Sequence, residues 1–348
     1  MSMFQRLLSR SASDPRVVVA AVVFGSVTIG CEPPMPPLSP PVLVAEPPAS
    51  FDGRTPGQGT TDLDRGVALV QNERYAEGAR LIERAMTSGL GDGESTYYLA
   101  FAYERMGNRK EAESYYLKTL QLDPQLVNAR VNLAAMYLEE PLQPAKAITV
   151  LEPAVATEPK SADIRLNLAY AYRLEKNLPK AAEHYRASLA IEDKVETRQM
   201  LVDVLFDAGD TKEVVGEMKT LLPAFAKDAK AMAAFGGRFA KVRAYADCAA
   251  AFTKALELQP KNAGYHVNRG LCRHEVGDAE AEVAKDYEAA VDLEPKNQAA
   301  WYYLGMSQLL AEERSRGIEA LEKAIRLGAD TAFGKKAKEK WSAVVKKR

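Results

Sequence analysis

From residue 59 onward, apolar side chains recur at spacings of three and four in stretches of roughly a dozen residues, the period of helices with one buried face. The stretches come in pairs, and two series of mostly small residues keep them in step. The first series runs Gly66, Ala100, Ala134, Ala169, Val202, Gly236, Gly270 and Gly305, with steps of 34, 34, 35, 33, 34, 34 and 35. The second runs Ala85, Thr119, Ala154, Ser188, Leu221, Ala255, Ala290 and Ala324 at the same period. Two antiparallel helices approach closely only where the facing residue is small, with larger side chains filling the space on either side. Leu99-Ala100 with Tyr103, Leu133-Ala134 with Tyr137 and Leu168-Ala169 with Tyr172 supply that arrangement on first helices. Ala112 with Tyr116, Ala181 with Tyr185 and Cys248 with Phe252 supply the opposing surface on second helices. Turns are marked within pairs by Gly107-Asn108, Gly209-Asp210 and Gly277-Asp278, and between pairs by Asp123-Pro124, Glu158-Pro159, Gln259-Pro260 and Glu294-Pro295. The pattern predicts an all-α chain built by repetition, where the length of 348 residues alone would suggest two or three globular domains.

The leucine, small residue and tyrosine of the first helix, the alanine and aromatic of the second, and the closing proline resemble the tetratricopeptide (TPR) family. The resemblance implies a right-handed superhelical solenoid of eight helix-turn-helix repeats, at 59–92, 93–126, 127–161, 162–194, 195–228, 229–262, 263–297 and 298–331. A basic capping helix follows at 332–348, with Phe333, Ala337, Trp341, Val344 and Val345 on one stripe and Lys335, Lys336, Lys338, Lys340, Lys346, Lys347 and Arg348 around it. Departures from the motif mark soft places: Leu205 for the tyrosine, Met218 for the aromatic, Arg269 for the leucine, and Gly236-Gly237 inside a helix. A weaker joint is therefore expected near 200–240, and Pro153 is expected to kink or end its helix.

The amino terminus reads differently. Arg6, Arg10 and Arg16 precede the apolar run Val17 to Ile29, which is too short for a bilayer core needing ~20 residues but suits a signal peptide over 1–30. Thr28-Ile29-Gly30-Cys31 resembles the bacterial lipobox, which makes Cys31 the expected lipidation site; threonine stands where leucine is usual. The proline pairs 33-34, 36-37, 40-41 and 47-48 make 31–58 a semi-rigid extended linker. Glu32 after the cysteine resembles an outer-membrane destination, giving a periplasm-facing lipoprotein held to the membrane through Cys31. A short uncleaved anchor or a misplaced start codon is the alternative.

A formal net charge of -1 supplies no field to recruit nucleic acid, and points to protein partners. His184, His266 and His274 have no metal-ligand spacing, and no phosphate loop, nucleophile elbow or metalloprotease helix appears, so no enzyme activity, metal, cofactor or small-molecule substrate is expected. Cys248 and Cys272 fall on adjacent helices; two separate buried thiols with their Cα atoms too far apart to bridge are expected, with a disulfide as the alternative.

In known TPR arrays the first helices line the concave side, so a peptide-binding groove is expected from first-helix residues left over by packing: Tyr98, Phe101, Asn132, Asn167, Tyr170, Arg173, Asn268, Tyr302 and Tyr303. Asn132 and Asn167 hold equivalent places, and a side-chain amide offers both donor and acceptor to an extended backbone. The lysine-rich carboxylate clamp of chaperone-binding TPR domains is replaced by Tyr97, Val131 and Leu166. The resemblance implies a scaffold for an envelope machine of the pilus, secretion, motility or outer-membrane assembly type; a cytoplasmic adaptor or co-chaperone is the alternative.

Overall fold

The computed structural model describes residue 45, residues 61–139 and residues 141–346. The predicted signal peptide and lipidated Cys31 lie outside the described residues, as does the linker apart from Ala45. The described residues form seventeen α-helices and one short 3-10 turn, with no strand among them. Two compact units divide between Glu217 and Met218, inside the stretch whose sequence departs most from the motif.

The unit reaching to Glu217 holds α1 (Asp62–Gln71), α2 (Tyr75–Thr87), α3 (Gly93–Arg105), α4 (Arg109–Leu122), α5 (Val127–Leu138), α6 (Pro144–Thr157), α7 (Ala162–Leu174), α8 (Leu178–Ile191), α9 (Val195–Ala208) and most of α10 (Thr211–Leu221). The unit beginning at Met218 holds the end of α10, the 3-10 turn Leu222–Phe225, α11 (Ala229–Lys241), α12 (Tyr245–Leu258), α13 (Ala263–Val276), α14 (Glu280–Leu293), α15 (Gln298–Leu310), α16 (Arg314–Leu327) and α17 (Ala332–Val345). Helices pack on their chain neighbours from α1 through α9 and again from α11 through α17, and first helices also touch the next first helix, α1 on α3, α5 on α7 and α11 on α13.

Six of the eight first helices start where a short polar side chain takes up orphan backbone N–H groups. Thr61, Asp92, Ser161, Asp228, Asn262 and Asn297 cap α1, α3, α7, α11, α13 and α15, and Thr331 caps α17. Most second helices have no side-chain cap and instead follow a residue in the left-handed region.

Both small-residue series are buried, and Gly236 shows why: a Cβ there would stand 2.7 Å from the ring of Phe252 on the partner helix. Between repeats, tyrosines reach back to the preceding second helix. Tyr103 donates to Glu83, Tyr172 to Glu152, and Tyr137 to Glu113 at 2.7 Å. Lysines at the start of the following helix cover two of these rings, Lys146 at 5.0 Å from Tyr137 and Lys180 at 4.7 Å from Tyr172.

Three expectations need correction. Of the two outcomes expected at Pro153, a kink or an end, the end does not occur: α6 runs on to Thr157, and Pro153 and Thr149, whose carbonyl loses its partner, both face solvent. Arg269 does not leave the motif leucine's place without a partner, since its guanidinium donates to the buried carboxylate of Asp286 on α14, which also accepts from Arg273 at 3.3 Å. Burial alone would raise the Asp286 pKa, but hydrogen bonding and the two arginine charges hold it below the usual carboxylate range. Finally, Cys248 on α12 and Cys272 on α13 form a disulfide, with Cα atoms 5.9 Å apart, because the close approach allowed by the small residues brings the two helices within bridging range.

The carboxy-terminal helix α17 packs on α15 and α16. Ala337 is fully buried, Phe333 and Trp341 lie against the core, and the Trp341 indole N–H donates to Glu322 at 3.1 Å.

Candidate peptide-binding site

Asn132 lies on α5 two residues before Ala134, the place taken by Tyr98 on α3 and Asn167 on α7. Its side chain is fully buried. The Oδ1 atom accepts from the backbone N–H of Ala45 at 2.7 Å, and Nδ2 donates to the carbonyl of the same residue at 2.9 Å. One amide thus reads both polar groups of one backbone residue 87 positions upstream.

Nδ2 also lies 3.3 Å from the Tyr97 and Tyr116 hydroxyls. Tyr116 spends its own proton on Glu104, so it turns lone pairs toward Asn132. That fixes which way the amide faces: nitrogen toward the phenols, oxygen toward the Ala45 N–H. Burial, with the Glu104 charge, pushes the Tyr116 phenol well above its ordinary value, so it stays a neutral donor. The rings of Tyr97 and Tyr116 meet at 6.0 Å, and Tyr97 stacks on Phe101 at 6.4 Å. The elements that build the site are therefore α3, α4 and α5, whose close approach rests on Ala100, Ala112 and Ala134.

The other predicted groove residues fall into three groups. Tyr98 and Phe101 are buried on α3; Tyr98 accepts from Gln71 at 2.7 Å and burial raises its phenol to about 12, while Phe101 meets the edge of Tyr75 and lies under Arg105. On α7, Asn167 is buried, and Tyr170 and Arg173 are half-buried. Asn268, Tyr302 and Tyr303 belong to the other compact unit. For Tyr302 and Tyr303 the premise that packing leaves them over is corrected: both rings lie 5.7 Å from Phe333, and Tyr303 stacks on Tyr287 at 5.6 Å. The capping helix consumes them. Tyr97, Tyr116 and Glu104 escape the sequence reading because they look like packing residues, and the tyrosine of the second helix is a motif position.

The histidines are occupied locally. His184 stacks on Tyr172 at 5.5 Å, His266 Nε2 lies 2.9 Å from the Pro260 carbonyl, and His274 meets Glu280 at 2.5 Å, which raises its pKa. Among the described residues no cluster of three or more His, Cys, Asp or Glu is placed to hold a metal, and no helix is long and apolar enough to cross a membrane.

Family models described as tetratricopeptide repeat match residues 93–126, 133–194 and 281–332. The chain is 31% identical over 97 residues to E3 ubiquitin-protein ligase CHIP of Arabidopsis thaliana, a stretch covering 28% of this chain and 34% of that one. It is 22% identical over 229 residues to Hsp70-Hsp90 organizing protein 1 of Glycine max, covering 62% and 38%. The chain thus spans well under half the length of these two relatives. Among solved structures, MamA (AMB-1) superposes with a TM-score of 0.43 at 17% identity, over 46% of this chain and 87% of that one.

Proposed function

We propose that this chain, a tetratricopeptide-repeat protein, is a non-catalytic scaffold that holds an extended segment of another protein against its first helices, and that it does so from a lipid anchor in the bacterial envelope. The observation that carries the binding reading is the Asn132 amide, which pairs with both backbone groups of one residue and so is built to read main chain. Half-buried Tyr170 and Arg173 on α7 give the same face side-chain contacts to offer.

The name of one relative, Hsp70-Hsp90 organizing protein 1, involves Hsp70 and Hsp90. The carboxylate-clamp positions here are Tyr97, Val131 and Leu166, all buried, so a C-terminal carboxylate has no cationic seat there. An internal extended segment is the better ligand.

Two features support the envelope. The lipobox-like Thr28-Ile29-Gly30-Cys31 precedes a proline-rich spacer, and the Cys248–Cys272 disulfide suits an oxidising compartment. A pilus, secretion, motility or outer-membrane assembly complex is the kind of machine such a scaffold serves.

A photo-crosslinking residue at position 170 tests the binding reading. Capture of a partner that is lost when Asn132 and Asn167 are replaced supports it; capture only from position 117, on the exposed side of α4, would place the working surface elsewhere. Mass spectrometry of the native amino terminus tests the anchor, with a diacylated Cys31 expected and an intact Met1 pointing to a cytoplasmic adaptor.

A further inference from the structure

The residue held by Asn132 belongs to the chain itself. Ala45 presents both its N–H and its C=O to one partner, the pairing a residue makes in the hydrogen-bonded pair of an antiparallel sheet. The receiving amide is pre-organised, since turning it would set its oxygen against the lone pairs of Tyr116, whose proton goes to Glu104.

The sequence restricts the register of this contact. In the run Pro40-Pro41-Val42-Leu43-Val44-Ala45-Glu46-Pro47-Pro48, four prolines have no N–H to give. Only residues 42–46 can satisfy Oδ1, and Ala45 carries the smallest side chain of the five. Thr61, the cap of α1, follows 16 residues later, a tether that holds a ligand at an effective concentration on the order of millimolar.

We propose that the segment centred on Ala45 is an intramolecular ligand of the Asn132 site, and that the partner in trans is a peptide of the same chemistry, apolar and proline-flanked with one small residue free to donate its N–H. The inference rests on the reading of the first-helix face as a peptide site. It adds that the site is self-occupied until a partner takes the place of Ala45, which links binding to release of the linker.

The test uses the full-length chain and a fluorescent peptide of residues 40–48. Ala45→Pro removes the N–H without touching the repeats, so this chain is expected to bind the peptide at least tenfold more tightly than the unaltered one. Adding Asn132→Leu should abolish that binding; if the double variant loses helicity, Asn132→Asp, which keeps the shape but replaces the donor, serves instead. Hydrogen exchange at residue 45 should be slower in the unaltered chain than in the Asn132 variant. Equal affinity for the unaltered and Ala45→Pro chains would overturn self-occupancy while leaving the groove reading intact. Binding to neither would remove the segment as a ligand, with the groove still judged by crosslinking at position 170.

Discussion

Gly236 and Gly237 are neighbours on α11 with opposite surroundings. By composition alone each costs about 1 kcal/mol relative to alanine inside a helix. A Cβ at 237 meets nothing within 4 Å, whereas one at 236 stands 2.7 Å from Phe252 Cε2 and 2.8 Å from Cδ2, on a ring that is itself buried. Gly237→Ala should therefore stabilise the protein by about 1 kcal/mol. Gly236→Ala should destabilise it by up to about 2 kcal/mol, because overpacking outweighs the propensity gain. Urea melts followed by circular dichroism distinguish the two, and equal stabilisation by both would mean that the ring has room to move. At this scale the sequence is legible where a residue recurs: the step of 34 picks out Gly236 as a packing position, and Gly237 has no counterpart. The asparagine at 132 is legible as a donor and acceptor pair, but its occupant is not, since no local pattern ties it to a residue 87 positions away.

The elements meet in turns that share one requirement. Glu73, Gly107, Lys176, Gly209, Arg243, Gly277 and Glu312, each between a first and a second helix, all have positive φ, from 59° at Lys176 to 93° at Gly277. The three glycines were readable as turns because glycine is the residue that adopts this region without strain. The four charged residues were not, because the conformation is imposed by the two helices that must close on each other, and an exposed lysine or glutamate carries no mark of it. The same holds for the disulfide, whose feasibility depends on a Cα separation that only the packing of α12 on α13 decides. Lys176 is exposed and pays a left-handed penalty of about 1 kcal/mol, partly offset by the lower unfolded-state entropy of a non-glycine residue. Lys176→Gly should raise stability by about 0.5 kcal/mol, and Gly107→Ala, where a Cβ would meet nothing, should lower it by about 1 kcal/mol through backbone strain alone. Thermal melts of the two single variants check the opposite signs; a loss on Lys176→Gly would show that the lysine side chain contributes more than the strain removes.

The whole molecule carries a covalent tie in one compact unit and a backbone clamp in the other. Repeat arrays hold together through nearest-neighbour interfaces, so a crosslink between adjacent repeats strengthens the one interface it spans and, through it, the array that propagates from there. The Cys248–Cys272 bridge spans 24 residues and joins α12 to α13, closing a loop whose lost entropy in the unfolded chain corresponds to about 3 kcal/mol. Cys248 stands where Ala112 and Ala181 stand in other repeats, so Cys248→Ala is a substitution the packing already accommodates, and its effect reports the bridge rather than a hole. In a Cys31→Ser background, the folded protein should show no free thiol before reduction and two after it. Reduction, or Cys248→Ala with Cys272→Ala, should lower stability against urea by about 3 kcal/mol without loss of helicity in water. The compartment then follows from chemistry: an oxidising envelope preserves the bridge on the native protein, and a reducing cytoplasm opens it. Two free thiols in protein taken from cells under alkylating quench would argue against the envelope reading and for the cytoplasmic adaptor, whereas a protected pair would agree with the acyl anchor expected at Cys31.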